Sequence, residues 1–274
     1  MISCFCSYIM ALYRVWWADV NSEIENTITE KRVWGFWATA GWGVLVIFIS
    51  VVVQGIIAVV FIIARLVTEA EIDLTEPDIS GLLETIDLGL LISLSIVISA
   101  IVCVGLIFII IKVRRGATIA DYLGFKSIGT GTVLVVLAIS VAFIVLSVLI
   151  NMGLNRPTDS DIMVQAYATS VWPALFWMAV VVFAPFFEEV LFRGFLFEGL
   201  RQSKIGIAGT VIVTSLVWAG FHLQYGLFEI ASIFVLGVIF GIVRYKTGSL
   251  WAPMIMHAFN NLLAVLLIAL EIGV

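Results

Sequence analysis

The chain predicts an all-α polytopic transmembrane helix bundle of seven spans, eight if the first 20 residues also cross, built around a polar intramembrane cavity. Three observations predict it. Hydrophobic residues make up 62% of the 274 residues and charged ones only 12%, whereas a soluble domain carries roughly 25% charged residues. Apolar stretches of the ~20 residues needed to cross the hydrocarbon core recur at 41–65, 88–111, 132–154, 171–198, 205–224, 228–245 and 252–270. Finally, Lys and Arg fill alternate loops, as they do in multi-pass proteins.

Taken in order, the first 20 residues make a poor signal peptide, because no basic residue precedes the apolar run and Arg14 and Trp16-Trp17 follow it. A short interfacial helix is the simpler reading, with Cys4 and Cys6 as minor candidates for lipidation. Cys103 reads as packing, and the three cysteines form neither a disulfide framework nor a metal signature. The run from Val33 to Val67 would be about 50 Å long as one helix, too long for a perpendicular span. Trp34, Trp37 and Trp42 mark its interfacial start.

The loop after it holds Glu69, Glu71, Asp73, Glu76, Asp78, Glu84 and Asp87 without a Lys or Arg. Lys112, Arg114, Arg115 and Lys126 follow the second span. Arg156 stands with Asp159 and Asp161 after the third. Arg201 and Lys204 follow the fourth, and Arg244 and Lys246 the sixth. With Arg14, Lys31 and Arg32 ahead of the first span and Arg65 the one exception, the N-terminus is expected in the cytoplasm and the C-terminus outside. An eighth span in residues 1–20 would move only the N-terminus.

The stretches Ser80–Asp87 and Asp121–Lys126 read as structured, without chemistry of their own. Gly237 and Gly241 form a small-xxx-small pair for close helix packing. Gln54, Asn151, Glu198 and Glu229 lie near span ends and are expected to be solvated. Residues 1–130 read as an interfacial segment plus the first two spans, and 131–274 as the membrane core that carries the chemistry. The two parts form one integral unit without a soluble domain, linker or internal repeat. A net charge of −5 and the lack of a basic patch argue against nucleic acid. The bilayer is the one certain partner, and the oligomeric state stays open.

Inside these apolar segments stand two adjacent glutamates and an arginine, in Phe187-Glu188-Glu189-Val190-Leu191-Phe192-Arg193, and the only two histidines, His222 and His257. Charges within a membrane are costly enough to be read as functional. Glu189 and Arg193, four apart, share a helix face and pair. Glu188 is rotated by about 100° and has no local partner, which leaves it as the candidate general base. His222 could hold and help deprotonate a water shared with Glu188. His257 and Asn261, again four apart, could aim two donors at one oxyanion. No serine or cysteine stands in an equivalent motif, so direct attack of an activated water on an amide is the natural reaction.

These three blocks resemble the CAAX-prenyl-protease and bacteriocin-processing (Abi) family of intramembrane endopeptidases. Its Glu-Glu-x-x-x-Arg motif is matched by Glu188, Glu189 and Arg193. Its Phe-x-x-x-His motif is matched with Trp218 in place of Phe, ahead of His222. Its His-x-x-x-Asn motif is matched by His257 and Asn261. Arg193-Gly194 and Thr247-Gly248-Ser249-Leu250-Trp251-Ala252-Pro253 also fit, so the resemblance covers about residues 171–265.

It implies a glutamate-dependent hydrolase without a cofactor, acting on a peptide or lipidated protein. Glu188 and His222 would activate water, His257 and Asn261 would form the oxyanion hole, and Glu189, Arg193 and Trp218 would support them. A zinc enzyme using Glu188, His222 and His257 is the alternative mechanism, although the spacing is not that of a His-Glu-x-x-His zincin. A non-catalytic membrane adaptor, immunity or regulatory protein of the same fold is the alternative function. One tension remains. In straight antiparallel spans His222 falls near the outer end of its segment and His257 near the inner end of its own. They meet Glu188 only if the spans are tilted, short or partly re-entrant around a cavity.

Overall fold

The computed structural model describes residues 33–68, 87–114, 116–154 and 161–272. The proposed interfacial helix, Cys4, Cys6, most of the acidic loop, Arg115, Arg156 and Asp159 lie outside those residues. Within them every regular element is a helix: α1 (Phe36–Thr68), α2 (Leu88–Arg114), α3 (Ile119–Leu123), α4 (Thr130–Gly153), α5 (Asp161–Ala168), α6 (Pro173–Leu200), α7 (Gly206–Gly220), α8 (Leu227–Thr247) and α9 (Trp251–Ile272). Six of them (α1, α2, α4, α6, α8 and α9) are long and apolar enough to cross a bilayer. The chain is an integral, multi-pass membrane protein. The predicted fifth span, 205–224, is a helix of only 15 residues, about 22 Å long and short of the ~30 Å hydrocarbon core.

Of the six long helices α6 is the most buried, followed by α2 and α9. Asp87 caps α2, accepting from the Leu90 N–H at 2.7 Å, and also takes the Val171 N–H at 3.0 Å, which ties the starts of α2 and α6 together. Along α2, Cys103 is fully buried against α1, with its Sγ 3.7 Å from Val46 O. At the opposite end Arg114 donates to Val33 O at 3.1 Å and lies over the Trp34 ring, whose indole N–H reaches Ile110 O. Trp34 and Arg114 therefore share one end of an antiparallel pair, the pairing expected of an interfacial aromatic and a flanking cation.

Helix α6 is not a uniform α-helix. Two π-helical turns, Ala179–Phe183 and Val190–Leu196, flank the α-helical stretch Ala184–Glu189. The first has a covalent cause. Pro185 has no N–H to give and its ring would clash with the carbonyl one turn back, so the helix widens just before it. Ala184 N–H bonds to Ala179 O, and Val180 O, whose i+5 residue is Pro185, loses its intrahelical donor. In the second wide turn Phe197 N–H bonds to Phe192 O and Gly194 O, passing over Arg193 O. Each wide turn thus sets one buried carbonyl free, and side chains from other helices take both of them (below).

The stretch Asp121–Lys126 is structured, as expected. Thr118 caps α3 through the Asp121 N–H, and Gly124 ends it at φ 77°, where a side chain would be strained. Leu250 N–H donates to Gly124 O at 2.8 Å, and Ser249 Oγ–H donates to Lys126 O at 2.5 Å. The segment therefore pins the α8–α9 turn. Tyr122, fully buried, accepts from the Trp34 N–H, and burial pushes its hydroxyl up to about 12.

Two expectations are corrected here. Glu198 is not solvated but wholly buried, accepting from Arg201 Nε at 3.1 Å and Nη2 at 2.8 Å and facing Arg244 at 3.5 Å. Arg244 is not a loop cation. It lies within α8, 4% exposed, beneath the left-handed Gly248 that ends the helix. In both cases the polar side chain sits within two turns of a helix end but turns inward, because the other has an opposite charge to meet there.

Candidate active site

The site forms where the middle of α6, the end of α7, the middle of α8 and the first half of α9 converge. Glu189 and Arg193, both 0% exposed, pair at 3.1 Å as their spacing predicts. Arg193 Nη2 also donates to Gly237 O at 3.0 Å, and its guanidinium lies 4.6 Å from the Trp218 ring and 5.3 Å from the Phe240 ring. The buried cation is thus held by a carboxylate, a carbonyl and two aromatic faces, with its Nε left without a partner among the described residues. Glu189 Oε1 meets a second partner, His257 Nδ1, at 3.0 Å. A carboxylate only accepts, so Nδ1 carries the hydrogen and Nε2 is turned into the site.

His257 Nε2 faces Glu188 Oε2 at 3.9 Å. Glu188 is 17% exposed, the one carboxylate of the pair that is not fully buried. Its partner comes from another helix: the Trp218 indole N–H donates to Glu188 Oε2. The Trp218 ring packs against both imidazoles, with centroids 5.2 Å from His222 and 5.3 Å from His257. His222 directs Nδ1 at Trp218 O, 3.0 Å away. A carbonyl accepts and cannot donate, so here too Nδ1 holds the hydrogen and Nε2 keeps its lone pair for an incoming proton.

Glu188, Glu189, Arg193, Trp218 and His257 are thus in direct contact, and His222 joins them through Trp218. Trp218, near the end of the short α7, touches both Glu188 and His222 and so brings the two together despite the expected offset. The wide turns of α6 help, since each takes up an extra residue within the helix.

Asn261 takes a different position. Its Nδ2 donates to Val180 O at 2.8 Å, the carbonyl released ahead of Pro185. One of its two amide hydrogens is spent there, leaving one for a ligand. Its neighbour Asn260 faces away, donating to Ser140 Oγ on α4 and to Met256 O.

Sequence reasoning missed three contributors. Tyr225 stacks on His222 (6.0 Å between centroids, 20° between planes), and its hydroxyl lies within electrostatic reach of Glu188. Phe240 packs against both His257 and Trp218. Gly237, read only as a packing residue, brings its carbonyl to Arg193. The pairing with Gly241 was visible as spacing, but the partner helix was not. A Cβ on Gly237 would stand 2.8 Å from Trp218 Cε3 and 3.1 Å from Arg193 Nη2, and one on Gly241 would press on Val211. The close approach is therefore between α8 and α7. Gly237→Ala is expected to cost about 1–3 kcal/mol by overpacking, read as a lowered thermal midpoint in detergent, and to push Trp218 off Glu188.

The same geometry tests the zinc alternative. Among the described residues no three His, Cys, Asp or Glu side chains converge as a metal-holding group. The Trp218 N–H occupies Glu188 Oε2 and its indole packs on both rings. Glu188, His222 and His257 do not fit a zinc centre as they stand, and no step below runs through one.

Comparison with known proteins agrees in part. A protein of Escherichia coli described as an uncharacterized 24.3 kDa protein is 30% identical over 82 residues, 29% of this chain and 38% of that protein. The match therefore spans well under half of that relative's length. No solved structure matches the chain. Residues 170–263, the stretch that holds Glu188, Glu189, Arg193, Trp218, His222, His257 and Asn261, match the Rce1-like family, described as type II CAAX prenyl endopeptidase Rce1-like.

Proposed function

We propose that the chain is an intramembrane endopeptidase of the CAAX-protease type, hydrolysing a peptide bond in a membrane-associated or lipid-modified peptide or protein. The observation that carries this reading is the division of labour between adjacent glutamates. Glu189 is sealed with Arg193 and His257, while Glu188 stays partly exposed with its carboxylate held by the Trp218 N–H.

In the reaction, Glu188 accepts a proton from a water that attacks the scissile carbonyl carbon. The Nε2 lone pair of His222 orients that water and shares its proton. The carbonyl oxygen becomes an oxyanion facing His257 and the free N–H of Asn261. His257 donates there in its imidazolium form, whose charge the Glu189 carboxylate balances at 3.0 Å. Collapse of the tetrahedral intermediate passes the proton from Glu188 to the leaving amine. Residues 131–274 form the catalytic core, α1 and α2 within residues 1–130 are its companion spans, and the N-terminal side of α1 faces the cytoplasm.

The test is hydrolysis of a lipid-modified peptide by the purified chain in liposomes. His222→Ala is expected to lower kcat by about 10²–10⁴-fold while the protein stays folded. Full activity in purified His222→Ala and Glu188→Gln proteins would sink the assignment. An adaptor's cellular phenotype, by contrast, should survive both substitutions.

A further inference from the structure

The wide turns of α6 free two buried carbonyls on either side of Glu188 and Glu189. Asn261 takes the first, Val180 O. The second, Arg193 O, belongs to the residue whose guanidinium neutralises Glu189. Its partner is a charge that the proposed chemistry does not use: Arg244 Nε donates to it at 2.9 Å.

Three further contacts hold the Arg244 guanidinium. Nη2 donates to Leu123 O at 3.3 Å and faces Glu198 Oε2 at 3.5 Å, and the cation lies 5.6 Å from the Phe197 ring. Room for it is made on the α3 side by Gly124, where a Cβ would collide with Nη2. Neutralising Glu198 does not by itself require Arg244, because Arg201 already donates to both oxygens of that carboxylate. The bond to Arg193 O is the part of the arrangement that charge pairing leaves unexplained.

We propose that Arg244 is a positioning residue of the active site. By holding Arg193 O it sets the turn of α6 that aims Arg193 at Glu189, and through Glu189 it sets the direction of His257. The proposal rests on Glu189, Arg193 and His257 belonging to the hydrolytic site.

The chain has two histidines, so imidazole-15N labelling resolves this in detergent with one set of signals for each. The variant of choice is Arg244→Gln with Glu198→Gln, which removes both buried charges together; Arg201, 13% exposed, keeps a hydrogen bond to the glutamine oxygen and its access to the surface. The expected result is a thermal midpoint close to the parent's, a displaced or lost His257 Nδ1–H signal, and unchanged His222 signals. In liposomes kcat should fall between about tenfold and a hundredfold, the cost of small misplacements at a site, with KM unchanged.

If Arg244 served only to neutralise Glu198, the double variant would keep both the parent His257 signal and the parent kcat, and either result overturns the proposal. Should the double variant fail to fold, Arg244→Lys preserves the charge but lacks the planar fork that serves three acceptors. It should show the same His257 change, and parent-like His257 signals in that protein would equally overturn the proposal. If the parent chain hydrolyses nothing, the protease reading fails and the imidazole signals alone decide the role of Arg244.

Discussion

Replacing Glu188 by Gln should reduce peptide hydrolysis by about 10²–10⁴-fold, the usual contribution of a positioned general base, with almost no loss of stability. The two halves of this expectation have one cause. Glu188 is the partly exposed member of the pair, at 17%, and its described partner is a donor, the Trp218 N–H. A glutamine still offers an oxygen to that N–H and buries no new charge, so the fold has little reason to respond. What it lacks is the ability to take a proton from water. The measurement is kcat in liposomes beside the thermal midpoint in detergent. A collapsed midpoint with proportionate loss of activity would show Glu188 to be structural, and near-parent kcat would remove it from the mechanism.

Arg193→Ala should do the reverse and damage the fold first. It is expected to cost about 3–5 kcal/mol, the penalty for leaving a buried charge without its partner. Glu189 is 0% exposed and shares the same oxygen, Oε1, between Arg193 and His257, while Oε2 has no partner among the described residues. Without the guanidinium, the carboxylate has only an imidazole to balance it. The Trp218 and Phe240 rings also lose the cation between them. Chemical or thermal unfolding in detergent measures this directly. Adding Glu189→Gln to Arg193→Ala should recover a large share of the lost stability but no activity, since His257 would then have lost its anionic partner. A single Arg193→Ala protein as stable as the parent would mean that Glu189 is not charged in the folded chain.

The amino-acid sequence by itself determined much of this. A composition with few charges requires helices that satisfy their own backbone groups in the bilayer, and the long apolar helices appear where hydropathy placed them. The four-residue spacing was enough to pair Glu189 with Arg193 and to set Glu188 apart, because neighbours on a helix face depend only on local geometry. The positions of His222, His257 and Asn261 were legible for the same reason: polar residues stand out in apolar segments.

Only the tertiary structure decided how these pieces meet. Pro185 announces a disturbed helix, but whether it kinks or widens, and which side chain then takes the freed Val180 O, depends on α9 lying alongside. Trp218 reads as an aromatic in a motif, yet it is the donor on Glu188 because α7 stops short and turns its end into the bundle. Glu198 and Arg244, 46 positions apart, look like two solvated charges near span ends until α6 and α8 place them together inside the protein. Hydropathy and spacing act over a few turns of one helix, whereas burial of a charge is settled by the opposite charge that another helix brings to it.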